Sequence, residues 1–306
     1  MSNEFVWCRD EVRIGEAKST SLPQFTIGQA VANGEARHQR IRDLPVRRAD
    51  RPNEKARRAH PASKAVTADA ILRSFNTWAF KREQPADPQL LAQAVAEAVT
   101  RGEPVPFILY WGKGPRAKVG EPEITCLDYL AAFAGRVREV YAAGASVELI
   151  LTDTHAALNG HAERSVQQYF AEVGAHAGAR GFSTKLLSEL TCAAHAAGAL
   201  RIDREAAPDE VILQRLSTSA GKWYRGEGTT RDGALKYFQM NMIEKRAVEF
   251  AFPRAIFITF NGSQLRCLFP DRLPIFYMYS LRRGVSVKPW FLPAAGPENP
   301  EHVDLT

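Results

Sequence analysis

Two short loops hold the side chains best suited to chemistry. The first reads Thr152-Asp153-Thr154-His155, follows directly on the apolar run VELIL, and continues to Asn159-Gly160-His161. A carboxylate and an imidazole at a strand end can orient an amine, relay a proton or bind a metal. Asp153 can equally cap the turn that follows it. His155 and His161 are six positions apart, which puts them on different sides of a helix and excludes a two-histidine zinc face. The second loop is Trp111-Gly112-Lys113-Gly114-Pro115-Arg116, directly after PFILYW. Its glycines let a ligand approach the backbone, and Lys113 and Arg116 supply charge for a phosphate or carboxylate. The run is neither G-x-x-x-x-G-K-[ST] nor G-x-G-x-x-G, and as a bare pattern it also suits an ordinary turn. Lys288-Pro289-Trp290-Phe291, near the C-terminus, offers a third lining for a pocket or simply core packing.

The flanking elements explain why these loops would meet. PVPFILYW and VELILTD are short apolar runs of buried-strand type, and between them Leu127, Leu130, Phe133, Val137 and Val140 mark one side of a helix from about Glu123 to Tyr141. Strand, loop, helix, strand is the order of a parallel βαβ unit. In open parallel sheets, ligands bind at the carboxyl ends of the strands, where both loops fall. Upstream, TADAILRSFNTWAF sets Ile71, Leu72, Phe75 and Trp78 at helical spacing, and PQLLAQAVAEAVTRG is a second helix stopped by Gly102. Downstream, a helix carries Val166, Tyr169, Phe170 and Val173, and another is read in STKLLSELTCAAHAAG, where His195 is an ordinary helix residue. RAIFITFN, QLRCLF and PIFYMYSL are β-rich, as in an antiparallel sheet or strands added to an edge. The expected fold is therefore α/β: a Rossmann-like parallel sheet core flanked by helices, with β-rich C-terminal strands extending the sheet.

Composition removes several classes. The chain has 306 residues and 45% hydrophobic content, enough for a sizeable core. No stretch reaches about 18 uninterrupted apolar residues, so no membrane span is expected. The N-terminus lacks an apolar signal-peptide core, and Cys8, Cys126, Cys192 and Cys267 are too scattered for a disulfide framework, which fits a cytoplasmic protein. The net charge of +6 is concentrated between Arg37 and Lys64, where ten Lys or Arg face only Asp43, Asp50 and Glu54. The rest of the chain is close to neutral. A basic arm can bind nucleic acid through phosphates, but this one has no aromatic residue for stacking and precedes no reading module. Residues 1–64, basic and broken by Pro23, Pro45, Pro52 and Pro61, are expected to be a flexible segment ahead of a single α/β catalytic domain at 65–306.

The order of segments resembles the isocyanide (isonitrile) synthases of the pyoverdine/dityrosine biosynthesis type. PVPFILYWGKGPR is similar to that family's apolar strand and Lys-x-Pro-polar turn, through Lys113, Pro115 and Arg116. EPEITCLDYLAAFAGRVREVYAAGASVELILTDTH resembles its helix, its Tyr-x-x-Gly-Ala turn at Tyr141, Gly144 and Ala145, and its strand ending in Ser-Asp-Gly, here Thr152, Asp153 and Thr154. MIEKRAVEFAFPRAIFITFNGSQLRCLFP looks like its helix and Pro-x-x-Ile strand, and VSVKPWF matches Thr-Pro-Trp-His through Pro289 and Trp290. The likeness runs from about 104 to 291.

The resemblance implies chemistry on the amino group of an amino acid in specialised metabolism. Members of that family join the α-amine of tyrosine or tryptophan to a carbon from ribulose 5-phosphate, and need no bound cofactor in this reading. Lys113 and Arg116 would then hold the phosphate or carboxylate and Asp153 would orient the amine. Asp153, His155 and Lys113 are assigned to catalysis, and Arg116, Trp111, Asn159, Lys288 and Trp290 to substrate binding. The chain departs from the pattern at Thr154, where the family has glycine, and at Phe291, where it has histidine, while a second family aspartate has no counterpart. It carries His155, Asn159 and His161 instead. Two alternatives stay open. One is a haem- or iron-dependent N-oxygenase of arginine or lysine, with His155 as the iron ligand. The other is a non-catalytic nucleic-acid or partner-binding protein that uses the basic arm.

Overall fold

In a computed structural model of the chain, residues 67–112, 118–200 and 207–279 are described, and they fall within one compact unit. The expectations for residues 1–64, for Lys113 and Arg116, and for Lys288 and Trp290 lie outside the described residues.

The described chain begins with α1 (Ala68–Phe75), where the Thr67 hydroxyl accepts the Ala70 N–H. The helix ends before Trp78, which is therefore not on its buried face but 57% exposed, with Lys81 Nζ 4.6 Å from its ring centroid. α2 (Pro88–Arg101) stops at Gly102 as expected, and local signals set its start as well. Asp87 caps it by accepting the Leu90 N–H, Pro88 starts it, and Gly102 stops it at φ 65°, a conformation that favours glycine.

β1 (Val105–Trp111), α3 (Glu121–Val140) and β2 (Ala145–Leu151) form the βαβ unit, with β1 and β2 parallel over their whole length. A six-residue helix, α4 (Asp153–Leu158), follows β2 at once, and α5 (Glu163–Gly178) carries Val166, Tyr169, Phe170 and Val173 on its buried side. The next segment departs from expectation. STKL forms a strand, β3 (Ser183–Leu186), and only then does α6 (Leu187–Ala196) begin. The leucine spacing of the following helix hid a short, half-exposed edge strand. α7 (Glu210–Trp223) and α8 (Thr230–Ala251) lead to β4 (Ile256–Thr259) and β5 (Ile275–Tyr277).

The five strands make one sheet in the order β3-β2-β1-β4-β5, all parallel. The Rossmann-like expectation is met, and the C-terminal strands do extend the sheet. They do so in parallel rather than antiparallel. QLRCLF, read as a strand, is a 3-10 helix at Ser263–Leu268, anchored where Ser263 N–H and Oγ both donate to Glu83. That turn and its flanks span the crossover a parallel return requires. The outer edge of β5 is covered by residues 80–82 through the Arg82 N–H to Tyr277 carbonyl bond and the Tyr279 N–H to Phe80 carbonyl bond.

Alternation along the strands divides the core in two. Phe107, Leu109 and Trp111 of β1 belong with Phe75 of α1, Leu91 of α2, Phe133 of α3 and Tyr169 of α5. Ile108 and Tyr110 face the other way, with Leu190 of α6, Leu216 of α7 and Ala247 of α8. The strand order reverses between β1 and β4, so the crevice at their carboxyl ends is the expected ligand site of such a sheet.

Candidate active site

The loop after β2 comes to rest as α4, and its polar side chains reach three partners. Asp153 Oδ1 accepts the Ser188 N–H at 3.0 Å, and Oδ2 accepts the Ser188 hydroxyl. Ser188 lies in the first turn of α6, which has no side-chain cap of its own. Asp153 thus supplies from another element the carboxylate that a helix N-terminus favours. The capping alternative is realised, though on α6 rather than on the turn that follows Asp153. Among the described residues Ser188 is the partner of Asp153, with one bond to each oxygen, so each oxygen keeps a further acceptor position.

Thr154 and His155 point into the sheet-side packing of α8. The Thr154 hydroxyl donates to Glu244 Oε1 at 2.6 Å, and His155 Nε2 lies 2.8 Å from Glu244 Oε2. Glu244 is 0% exposed and His155 2%. A carboxylate so placed favours the proton on Nε2 and makes Nδ1 the basic nitrogen. The ring also stacks on Tyr237, with centroids 6.0 Å apart at 26°. The Tyr237 hydroxyl donates to Asn159 Oδ1, and burial holds that hydroxyl up at about 12.

These contacts revise several assignments. His155 has Nε2 against Glu244 and one face against Tyr237, so any ligand to this ring, iron included, would meet it at Nδ1. Among the described residues no group of three His, Cys, Asp or Glu is placed to hold a metal ion. Trp111 is 0% exposed on the α3 and α5 side of the sheet and belongs to the core, not to a substrate pocket. Strand alternation decides this, because its neighbour Tyr110 takes the opposite face. Asn159 is buried against Tyr237 and its contact there holds the loop. His161 is only partly buried; burial, then the charge of Arg225, lowers its ionisation below the ordinary value.

Glu244 was not anticipated. The sequence does carry a signal: Met240, Glu244 and Val248 fall four apart on the buried face of α8. A carboxylate there must find partners or pay for its burial.

The chain leaving the basic loop is also anchored by carboxylates. Glu172 accepts the Val119 N–H at 3.0 Å, and the buried Glu123 accepts the Gly120 N–H at 3.0 Å and the Tyr169 hydroxyl at 3.3 Å. The first turn of α3 therefore holds its own acids, Glu121 and Glu123. This is unlike a dinucleotide fold, where that N-terminus is left for a phosphate.

No protein-family model matches the chain, and no curated protein matches it in sequence. Among solved structures, it superposes on the PvcA (PA2254) protein from Pseudomonas aeruginosa with a TM-score of 0.56 at 15% identity, covering 73% of this chain and 87% of that one. That likeness establishes a shared fold. A tyrosyl-tRNA synthetase complexed with L-tyrosine, from Pyrococcus horikoshii, is matched over 66% of this chain and 52% of that one, at 13% identity and a TM-score of 0.40, too loose to bear on the site. No described helix is long and apolar enough to cross a membrane.

Proposed function

We propose that the chain is an enzyme of the isonitrile-synthase type that acts on the α-amine of an amino acid at the carboxyl ends of β1 and β2. The observation that carries this reading is Asp153. It is a partly buried carboxylate fixed by Ser188, with acceptor capacity left for a substrate ammonium. The motif resemblance and the fold shared with PvcA support the same reading.

In this proposal Asp153 receives the ammonium group and takes a proton from it. The freed nitrogen lone pair attacks the carbonyl carbon of a sugar phosphate, and water leaves as the carbon–nitrogen double bond forms. Lys113 and Arg116 hold the phosphate, since the basic loop supplies positive charge where the first turn of α3 does not. His155, with its tautomer set by Glu244, is available to move a proton without any bound cofactor.

The test is direct. The purified protein is incubated with each of the twenty amino acids and ribulose 5-phosphate, and the products are examined by mass spectrometry and infrared absorption. An isonitrile formed from one amino acid, and abolished in Asp153→Asn, is the expected result. No amino acid consumed under any pairing would remove this function.

A further inference from the structure

Among the described residues, two tyrosines of the sheet have buried hydroxyls without a hydrogen-bond partner. Tyr110 on β1 and Tyr277 on β5 both face the α8 side, and the side-chain oxygen of each is out of water without a hydrogen-bond partner. The register sets them in one row. Tyr277 pairs with Thr259 of β4, and β1 pairs Leu109 with Ile258, so the next step places Tyr110 beside Thr259. The two phenols thus flank Thr259 across the β1/β4 reversal of the sheet.

Neither hydroxyl can easily turn away. The Tyr110 ring meets Phe257 edge-on, with centroids 5.0 Å apart at 73°, and Phe257 is backed by Phe269 at 5.8 Å. Tyr277 is 0% exposed. An unmet buried hydroxyl costs stability, and phenylalanine would fill either position without that cost. Two such groups in one row, at the place where open parallel sheets bind ligands, are better explained by a bond made to something that comes and goes.

We propose that Tyr110 and Tyr277 are ligand-contacting residues, whose hydroxyls donate to a neutral polar group on an otherwise apolar ligand lying on the α8 side of the strand ends. Neutrality follows from the surroundings of Tyr110. Burial first, then the charges of Glu244 and Glu249, hold its hydroxyl far above the ordinary range. Those acids disfavour an anion at Tyr110, and at Tyr277 the charges of Arg266 and Glu83 act in opposite senses, so a neutral carbonyl or hydroxyl oxygen suits both. Phe257 and Ile275 give the apolar walls. This inference deepens the reading above by extending its site from β1 onto the neighbouring ends of β4 and β5, and it does not rest on the reaction.

Benzamide, a neutral acceptor on an apolar ring, and benzoate, its charged counterpart, are the probes. Binding is followed by saturation-transfer NMR and by the shift in melting temperature. The full-length protein should bind benzamide and discriminate against benzoate at least tenfold. Tyr110→Phe and Tyr277→Phe should each weaken benzamide binding by about tenfold or more. Without probe, both variants should melt at the same temperature as the parent or higher. Failure of benzamide to bind, equal binding of benzoate, or undiminished binding by both variants overturns the proposal. So does a lower melting temperature of the unliganded variants, which would mean the hydroxyls are already paired, with solvent. If the amino-acid assay fails while these results hold, the reaction falls and the contact stands.

Discussion

Glu244 Oε2 on α8 and His155 Nε2 on α4 lie 2.8 Å apart, although 89 residues separate them in the chain. Both are nearly absent from the surface, and Thr154 takes the other oxygen of the same carboxylate. The short helix after β2 is thereby tied to α8, and by Asp153 to α6.

Removing one side of this arrangement should be costly. Glu244→Ala leaves two buried donors unmet and should lower stability by about 3–5 kcal/mol. Glu244→Gln retains one acceptor and should lose less. Urea unfolding of the three proteins checks the order. An unchanged midpoint for the alanine variant would mean the pair adds nothing to the fold.

Asp153 should show two separable effects. Asp153→Asn loses one of its two bonds to α6 and the favourable charge at that helix end, and should cost about 1 kcal/mol. Ser188→Ala removes the hydroxyl donor but keeps the N–H, and should cost a similar amount. Only the aspartate variant should abolish turnover. If both variants lose activity in proportion to stability, Asp153 is a cap and nothing more.

His161 predicts a pH effect. Its folded ionisation is lowered by burial first and by Arg225 second. Unfolded chains take up a proton at this ring as pH falls through about 6.5, while the folded ring resists. Its contribution is therefore complete above that pH and lost as pH falls through the lower folded value. Chemical denaturation between about pH 7 and 5 should show declining stability that is shallower in His161→Gln. Parallel curves for the two proteins would assign the decline elsewhere.

Lys113→Ala and Arg116→Ala should weaken binding of ribulose 5-phosphate without unfolding the protein. Each lost charge-assisted contact should cost about 1.5–3 kcal/mol, or roughly ten- to a hundredfold in affinity. Titration calorimetry gives the answer. Unaltered affinity in both variants would make the loop an ordinary turn.

The sequence by itself determined the elements whose signals are local. Gly102 stops α2, and the runs at 105–111 and 145–151, rich in branched and aromatic apolar residues, read as buried strands separated by a helix long enough to make them parallel. The placement of Asp153 and His155 at a strand end follows from the same patterns. Tertiary structure alone decided what those side chains meet. Ser188 is 35 residues from Asp153, and Tyr237 is 78 from Asn159. Neither separation leaves a periodic trace, because such bonds are set by how α6 and α8 dock on the sheet. The same holds for β3, whose four residues are too few to outweigh the helix that continues from them. Tyr110 and Trp111 make the point most sharply. Adjacent aromatics at one strand end look equivalent in sequence, yet the two-residue period of a strand sends Trp111 into the α3 and α5 core and Tyr110 toward α8. Periodicity fixes that the two must differ; only the packed helices decide which one can meet a ligand.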